Sequence, residues 1–426
     1  MTNFSELPID FSWSFSEKTI KDTSYITHGY YTYPAKFIPQ VAARLITENS
    51  SAGDIIVDPF MGSGTTIVEA IVNNRIGIGN DINEIAFLLA KVKTTPLEMT
   101  ALAKEYDLIQ QDLDFAVNWD YGNAVKSALE KIPDNERIDY WFLPQQKEKL
   151  AIIFARLLSI ENENIRNFYF VAFAQILKSA SIWLQKSVKP TRDMKKKIYD
   201  PIALFSAQAK KMLKKHSEFN ALLKPSVLND IDSFRKVQCA DSRCIPCEDG
   251  KASLIVTSPP YVTSYEYADL HQLPLLWFGF MKELHDFRQK FIGSSYKKRD
   301  IIDLKSSIAN GIISQLKNKK RDEVQNYYAD MLETFEEIKR VLKSGGRACV
   351  VICDTEFQGI KIKNAQVFQE QFENIGFKTN KIIKREIPSK MLPSTRDSET
   401  GRFGKASDKN IKQAYPTEYI LIMEKI

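Results

Sequence analysis

Residues 53–74 read GDIIVDPFMGSGTTIVEAIVNN. Ile55, Ile56 and Val57 make an apolar run too short for a helix. Glycines 62 and 64 break the chain after it. From Thr65 onward, apolar residues return at helical spacing. The order is strand, glycine turn, helix. A second unit repeats the alternation: RIGIGNDIN (75–83) is a short strand ending in Asp81, and EIAFLLAKVKTT (84–95) is a helix. Both strands lack polar alternation, as expected for a parallel sheet covered on both faces. QVAARLITE (40–48) adds a helix ahead of the first strand.

Gly62 and Gly64 permit a sharp turn and a close approach of backbone to a ligand. The helix start just beyond them favours a carboxylate or phosphate. Asp81 falls about 20 residues on, at the end of the next strand, where an acidic side chain binds ribose hydroxyls. Turn, helix and carboxylate together indicate a nucleoside-containing cofactor. Neither Gly-x-Gly-x-x-Gly nor Gly-Lys-Ser/Thr is present here, so the stretch matches neither a dinucleotide fingerprint nor a triphosphate loop. The bland alternatives are an ordinary turn and a helix-capping aspartate.

From 97 to 235 the chain changes character. Segments such as ALAKEYDLIQQDLDFAV and NFYFVAFAQILKSASIWL read as helices with little strand signal. Strands resume at KVQCADS (236–242) and ASLIVTSPPY (252–261), then GRACVVICD, FKTNKIIKREI and TEYILIMEK. The simplest organisation is one α/β sheet built from 1–96 and 236–426 and interrupted by a helical insertion at 97–235. The last two strands flank a loop from Pro388 to Pro416 with no helix between them, so they form an antiparallel pair at the end of the sheet.

The apolar run before Thr257 stops at Thr-Ser-Pro-Pro-Tyr, with Tyr265 and Tyr267 just beyond. Two consecutive prolines forbid helix and strand pairing at that point. A chain reversal alone would account for them. A pocket rim also would, with Ser258 and the backbone offering hydrogen bonds and Tyr261 a flat face.

The chain has 426 residues, 44% hydrophobic and 26% charged, with a net charge of +6. That composition suits one large core plus a further unit. Five cysteines fit a reducing compartment better than a disulfide scaffold. Without a signal-peptide pattern or a run long enough to span a bilayer, the expectation is a cytoplasmic protein with no membrane association. Cys239, Cys244 and Cys247 have a spacing known from iron–sulfur proteins, but Cys349 and Cys353 lie on another strand, so no metal site is expected. The four histidines show no ligand spacing.

DPFMGSGTT (58–66) followed by TSPPY (257–261) resembles the amino-group DNA methyltransferases of restriction–modification type. These transfer a methyl group from S-adenosylmethionine to cytosine N4 or adenine N6. The resemblance implies a Rossmann-like methyltransferase sheet. It makes Asp58, Pro59, Phe60, Gly62, Gly64, Thr65, Thr66 and Asp81 cofactor-binding residues. It makes Ser258, Pro259, Pro260 and Tyr261 the catalytic motif, usually (Asp/Asn/Ser)-Pro-Pro-(Tyr/Phe). HGYYTYPAKFIPQVAARLI (28–46) is similar to the segment before the cofactor strand, which points to Lys36 and Phe37 at the methionyl end. Asp241, in CADS, stands where the family contacts adenine. The order, cofactor motif first, departs from members that place the catalytic motif first, and leaves the placement of the recognition unit open.

The resemblance implies double-stranded DNA as substrate and a separately encoded cognate restriction endonuclease as partner. Basic segments follow: KSASIWLQKSVKPTRDMKKK (178–197), AQAKKMLKK (207–215), SYKKRD (295–300), LKNKKRDE (316–323) and the loop after Pro388. Phosphate contact is expected there, with Lys195, Lys196, Lys197, Arg396 and Tyr265 as DNA-facing residues and the insertion as the target-recognition unit. Serine at 258 favours cytosine N4. Adenine-N6 methylation, RNA-guanine N2 methylation and a non-catalytic DNA-binding protein are the competing readings.

Overall fold

The computed structural model describes all residues except 1–3, 5, 35, 188, 263–266, 282, 295–301, 358, 389–394, 398–410 and 414–415. Seven strands form one sheet: β1 (Ile55–Asp58), β2 (Ile76–Asp81), β3 (Arg235–Cys239), β4 (Ala252–Thr257), β5 (Leu342–Ile352), β6 (Phe377–Glu386) and β7 (Thr417–Lys425). Their spatial order is β3-β2-β1-β4-β5-β7-β6. The first five run parallel. β7 inserts between β5 and β6 and is antiparallel to both. The expected antiparallel final pair is present, and it closes one edge of an otherwise parallel sheet.

All six residues of β4 are buried, which is why this strand carries no polar alternation. Successive side chains point to opposite faces. Ile56, Leu254, Val256 and Val351 pack with Val41 and Leu45 of α1 (Pro39–Asn49). Val57, Ile255 and Val350 pack on the other face with Tyr328 and Phe335 of α8 (Asn318–Val341) and Phe368 of α9 (Asn364–Asn374). Each fully buried aliphatic side chain contributes roughly 1.5–3 kcal/mol.

α2 (Thr65–Val72) follows β1, and α3 (Glu84–Thr94) follows β2. Between β2 and β3 the chain is helical, as expected. Its long members are α4 (Met99–Asn118), α5 (Pro144–Leu158), α6 (Glu163–Ile176) and α7 (Pro201–Leu222). They do not make a separate core. Their apolar faces pack in one cluster with Tyr30, Tyr33, Ile85 and Leu89, and with Leu273, Leu276 and Trp277 from beyond the Ser-Pro-Pro-Tyr segment. The insertion is therefore seated on the glycine-turn side of the sheet.

The loop expected from Pro388 to Pro416 contains a short antiparallel ladder, Thr395–Asp397 against Ile411–Gln413. Most of the rest of that loop, Tyr265 and SYKKRD lie outside the described residues, as does the side chain of Arg396. No described helix is long and apolar enough to cross a membrane. No described group of three or more His, Cys, Asp or Glu could hold a metal ion.

Candidate active site

A cleft opens where β1, β2 and β4 end, at the carboxyl edge of the parallel strands. Tyr33, Lys36, Phe37, Asp58–Ser63, Thr65, Asp81–Asn83, Asp241, Ser242, Ser258, Pro260 and Lys290–Ile292 line it. The glycine turn and the strand leading to Ser-Pro-Pro-Tyr are far apart in the chain but tied together behind the cleft. Thr66 Oγ1 donates to the Val256 carbonyl, 190 residues away, at 3.1 Å.

The turn owes its shape to its glycines. Gly64 has φ +76°, and a Cβ there would meet Ala90 Cβ of α3 at 2.9 Å. Gly62 has φ +48°, with Tyr33 Cε1 at 3.3 Å from the same virtual position. Asp81 braces the turn from the next strand, its Oδ2 accepting from the Gly62 amide at 3.0 Å and its Oδ1 from the Asn83 amide at 3.0 Å. Burial pushes the Asp81 carboxyl up to about 6. It does the same to Asp58, also to about 6, although Asp58 Oδ1 accepts from Thr257 Oγ1 at 2.6 Å. Two polar atoms in the lining, Thr65 Oγ1 and Asn83 Nδ2, are buried with no hydrogen-bond partner among the described residues.

Beneath the turn lies a buried polar cluster that the sequence did not announce. Lys93 of α3 is 1% exposed and donates to the Ser63 carbonyl at 2.6 Å. Glu69 of α2 accepts from the Tyr25 hydroxyl and faces His28 Nε2 at 2.7 Å. Burial raises Glu69 to about 7 and holds His28 and Lys93 well below their ordinary values. Lys36 Nζ donates to the His28 carbonyl at 3.1 Å, and burial brings it down to about 8. The one available signal was a lysine inside the apolar helix EIAFLLAKVKTT.

On the opposite wall, Ser258 and Pro260 reach the cleft, while Pro259 is buried behind them. Tyr327 of α8 donates its hydroxyl to the Pro260 carbonyl at 2.8 Å. The Tyr261 hydroxyl donates to Glu418 Oε2 at 3.2 Å, and Glu418 Oε1 accepts from Arg385 Nη1 at 2.6 Å. The β6–β7 edge thus holds the tyrosine. Asp241 reaches the cleft already engaged: Arg243 donates from Nε to Oδ1 at 3.0 Å and from Nη2 to Oδ2 at 2.6 Å.

Of the residues expected at the site, Gly64, Thr66, Pro259 and Tyr261 do not line the cleft. Gly64 and Thr66 shape the turn from behind, Pro259 packs into the fold, and Tyr261 leans toward Glu418. Tyr33, Ser63, Asn83, Ser242 and Lys290–Ile292 join the lining unannounced. The three lysines named for DNA contact differ. Lys195 and Lys197 are exposed, whereas Lys196 Nζ donates to the carbonyls of Lys178 at 2.6 Å and Trp183 at 2.8 Å. Lys196 Nζ therefore fastens its own loop.

A sheet ordered β3-β2-β1-β4-β5-β7-β6, with only β7 antiparallel and an acidic residue at the end of β2, is that of a Rossmann-like methyltransferase. The chain belongs, more narrowly, to the N6/N4 DNA methylase family, whose model matches residues 5–92 and 252–426. It is 24% identical over 421 residues to the type II methyltransferase M.MvaI of Kocuria varians, covering 91% of this chain and 89% of that one. The type II methyltransferase M.BsoBI of Geobacillus stearothermophilus is 22% identical over 446 residues, covering 89% and 83%. A 59-residue match at 39% identity, 14% of this chain and 20% of the other, links it to the DNA adenine methyltransferase YhdJ of Escherichia coli. Among solved structures, TrmN from Thermus thermophilus aligns over 92% of this chain and 49% of that one with a TM-score of 0.29 and 10% identity, too low to bear on the fold. The methyl donor of the family is S-adenosylmethionine, and its substrate is DNA.

Proposed function

We propose that this chain methylates the N4 amine of cytosine in double-stranded DNA, as the modification half of a restriction–modification pair. The observation that carries the reading is the position of Ser258. It stands at the end of the buried strand β4, on the wall of the same cleft that holds Asp81 and the glycine turn.

The residues present fit S-adenosylmethionine, which supplies an electrophilic sulfonium methyl when bound. Asp81 offers a carboxylate to ribose hydroxyls beside a turn it already braces. Thr65 Oγ1 and Asn83 Nδ2, buried in the lining with no partner among the described residues, offer polar groups to the aminoacyl end or the nucleoside. Lys36 lies on the methionyl side, its ammonium fixed by the His28 carbonyl. Asp241 is held in one orientation by the Arg243 fork and accepts from the adenine amine.

The exocyclic amine of cytosine is a poor nucleophile because its lone pair is delocalised into the ring. Ser258 Oγ and the Pro259 carbonyl accept from its two hydrogens and favour a tetrahedral nitrogen. The prolines hold these acceptors in place before the base arrives, so little ordering remains at reaction. The target base must leave the duplex to reach the cleft, and Tyr261, held by Glu418 beside the lining, would have to turn toward it to stack. No cysteine nucleophile is needed for this displacement. The insertion is the target-recognition unit, and its exposed lysines contact phosphates.

The local match to an adenine methyltransferase favours adenine N6 as the second reading. Digesting DNA methylated by the chain to nucleosides decides between them. N4-methyldeoxycytidine is the expected product. N6-methyldeoxyadenosine would move the assignment to adenine, and DNA left unlabelled while RNA is methylated would overturn both.

A further inference from the structure

We infer that one polar face of α8 positions both walls of the cleft, Tyr327 fixing the transfer segment and Asp330 fixing the adenosine end; this rests on the reading of the cleft as the cofactor and target-base site. Tyr327, Asp330, Thr334 and Glu337 recur at spacings of three and four, so they share one side of the helix. Tyr327, Asp330 and Thr334 are all buried.

Three of the four reach the cleft wall directly or through one neighbour, and Glu337 continues the face to Ile245, beyond the lining. The Tyr327 hydroxyl donates to the Pro260 carbonyl at 2.8 Å. Asp330 Oδ1 accepts from Arg243 Nη1 at 2.7 Å, and Arg243 holds both oxygens of Asp241. Asp330 Oδ2 accepts from the Gly293 amide at 2.8 Å, next to the cleft-lining residues Lys290–Ile292. Thr334 Oγ1 lies 3.3 Å from Ser242 Oγ, and Glu337 Oε2 accepts from the Ile245 amide at 3.0 Å. One rigid helix thus spans the segment that would take the base and the two segments that would take the adenosine.

The buried position of this face explains its chemistry. A polar side chain there must find a fixed partner, and a partner fixed by a long helix is held to within the play of that helix. Tyr327 and Asp330 are positioning residues. Tyr327 acts on transfer and Asp330 on cofactor binding, although they are one turn apart.

That separation supplies the test. Tyr327→Phe removes one hydroxyl and keeps the ring that stacks on Phe368. Its single-turnover methyl transfer should fall about tenfold with the S-adenosylmethionine dissociation constant unchanged. Asp330→Asn should raise that constant about tenfold, with transfer at saturating cofactor unchanged. Arg243→Lys, which keeps the charge and removes the fork, should move in the same direction as Asp330→Asn. A general loosening of the packing would move both parameters in every variant, and that outcome, or no change in either, overturns the inference. A wild-type chain that neither binds S-adenosylmethionine nor methylates DNA would instead refute the functional reading beneath it.

Discussion

Asp81 Oδ2 lies 3.0 Å from the Gly62 amide, so the carboxylate at the end of β2 holds the glycine turn at the end of β1. One side chain therefore both shapes the turn and presents its charge to the cleft. Asp81→Ala should remove a charge-assisted hydrogen bond to ribose and loosen the turn. The cost is about 1.5–3 kcal/mol of S-adenosylmethionine affinity. Calorimetric titration checks this, and an unchanged dissociation constant would reduce Asp81 to a local brace.

The pH dependence follows from the same residue. Burial raises its carboxyl from 3.8 to about 6. In the proposed cofactor site, ribose hydroxyls would donate to the ionised form, so proton and cofactor would compete. Affinity should be full above about pH 7 and fall as pH drops through 6, by at most about tenfold per unit. The cofactor amino group stays protonated across that range. The fold without cofactor behaves oppositely. Its carboxyl binds a proton more tightly than the unfolded chain does, so this group adds stability as pH falls from about 6 toward 4. Titrations at several pH values with Asp81→Asn alongside should show the affinity slope flattening in the variant.

The exposed lysines of the insertion give a third test. Lys195→Gln with Lys197→Gln should weaken binding to all duplexes. The slope of log affinity against log salt should drop by about 0.9 for each phosphate no longer neutralised. S-adenosylmethionine affinity should not change. Lys196→Gln should behave differently, because its ammonium holds the carbonyls of Lys178 and Trp183. It should lower the melting temperature and leave the salt slope alone. A double variant with wild-type affinity and slope would place the duplex elsewhere.

The sheet was legible in the sequence because its central strands are short, apolar and bounded by turns. Residues 53–83 define two strand–helix units by pattern alone, and the missing helix before Thr417 announced the antiparallel β7. The cleft was legible where chemistry is local, at Gly62, Asp81 and Ser258. Interactions that arise only on folding were hidden. Lys93 looks like a surface residue until α3 packs against the glycine turn, and its partner is a backbone carbonyl with no sequence signature. Tyr327 and Glu418 act through Pro260 and Tyr261 across 67 and 157 residues of chain. The lysine run at 195–197 shows the converse, since charge in a sequence does not reveal which ammonium turns inward to cap carbonyls.

In the proposed function, Ser258 activates the exocyclic amine from the cleft wall opposite Asp81. The most direct measurement pairs calorimetry with single-turnover methyl transfer on Ser258→Ala. Cofactor affinity should match the wild type, because Ser258 is assigned to the base. Transfer at saturating S-adenosylmethionine and DNA should fall about a hundredfold, as for removal of one preorganised hydrogen-bonding group at a reacting centre. Wild-type transfer by this variant, or a weakening of cofactor binding that accounts for the whole fall in activity, would show that Ser258 does not activate the amine.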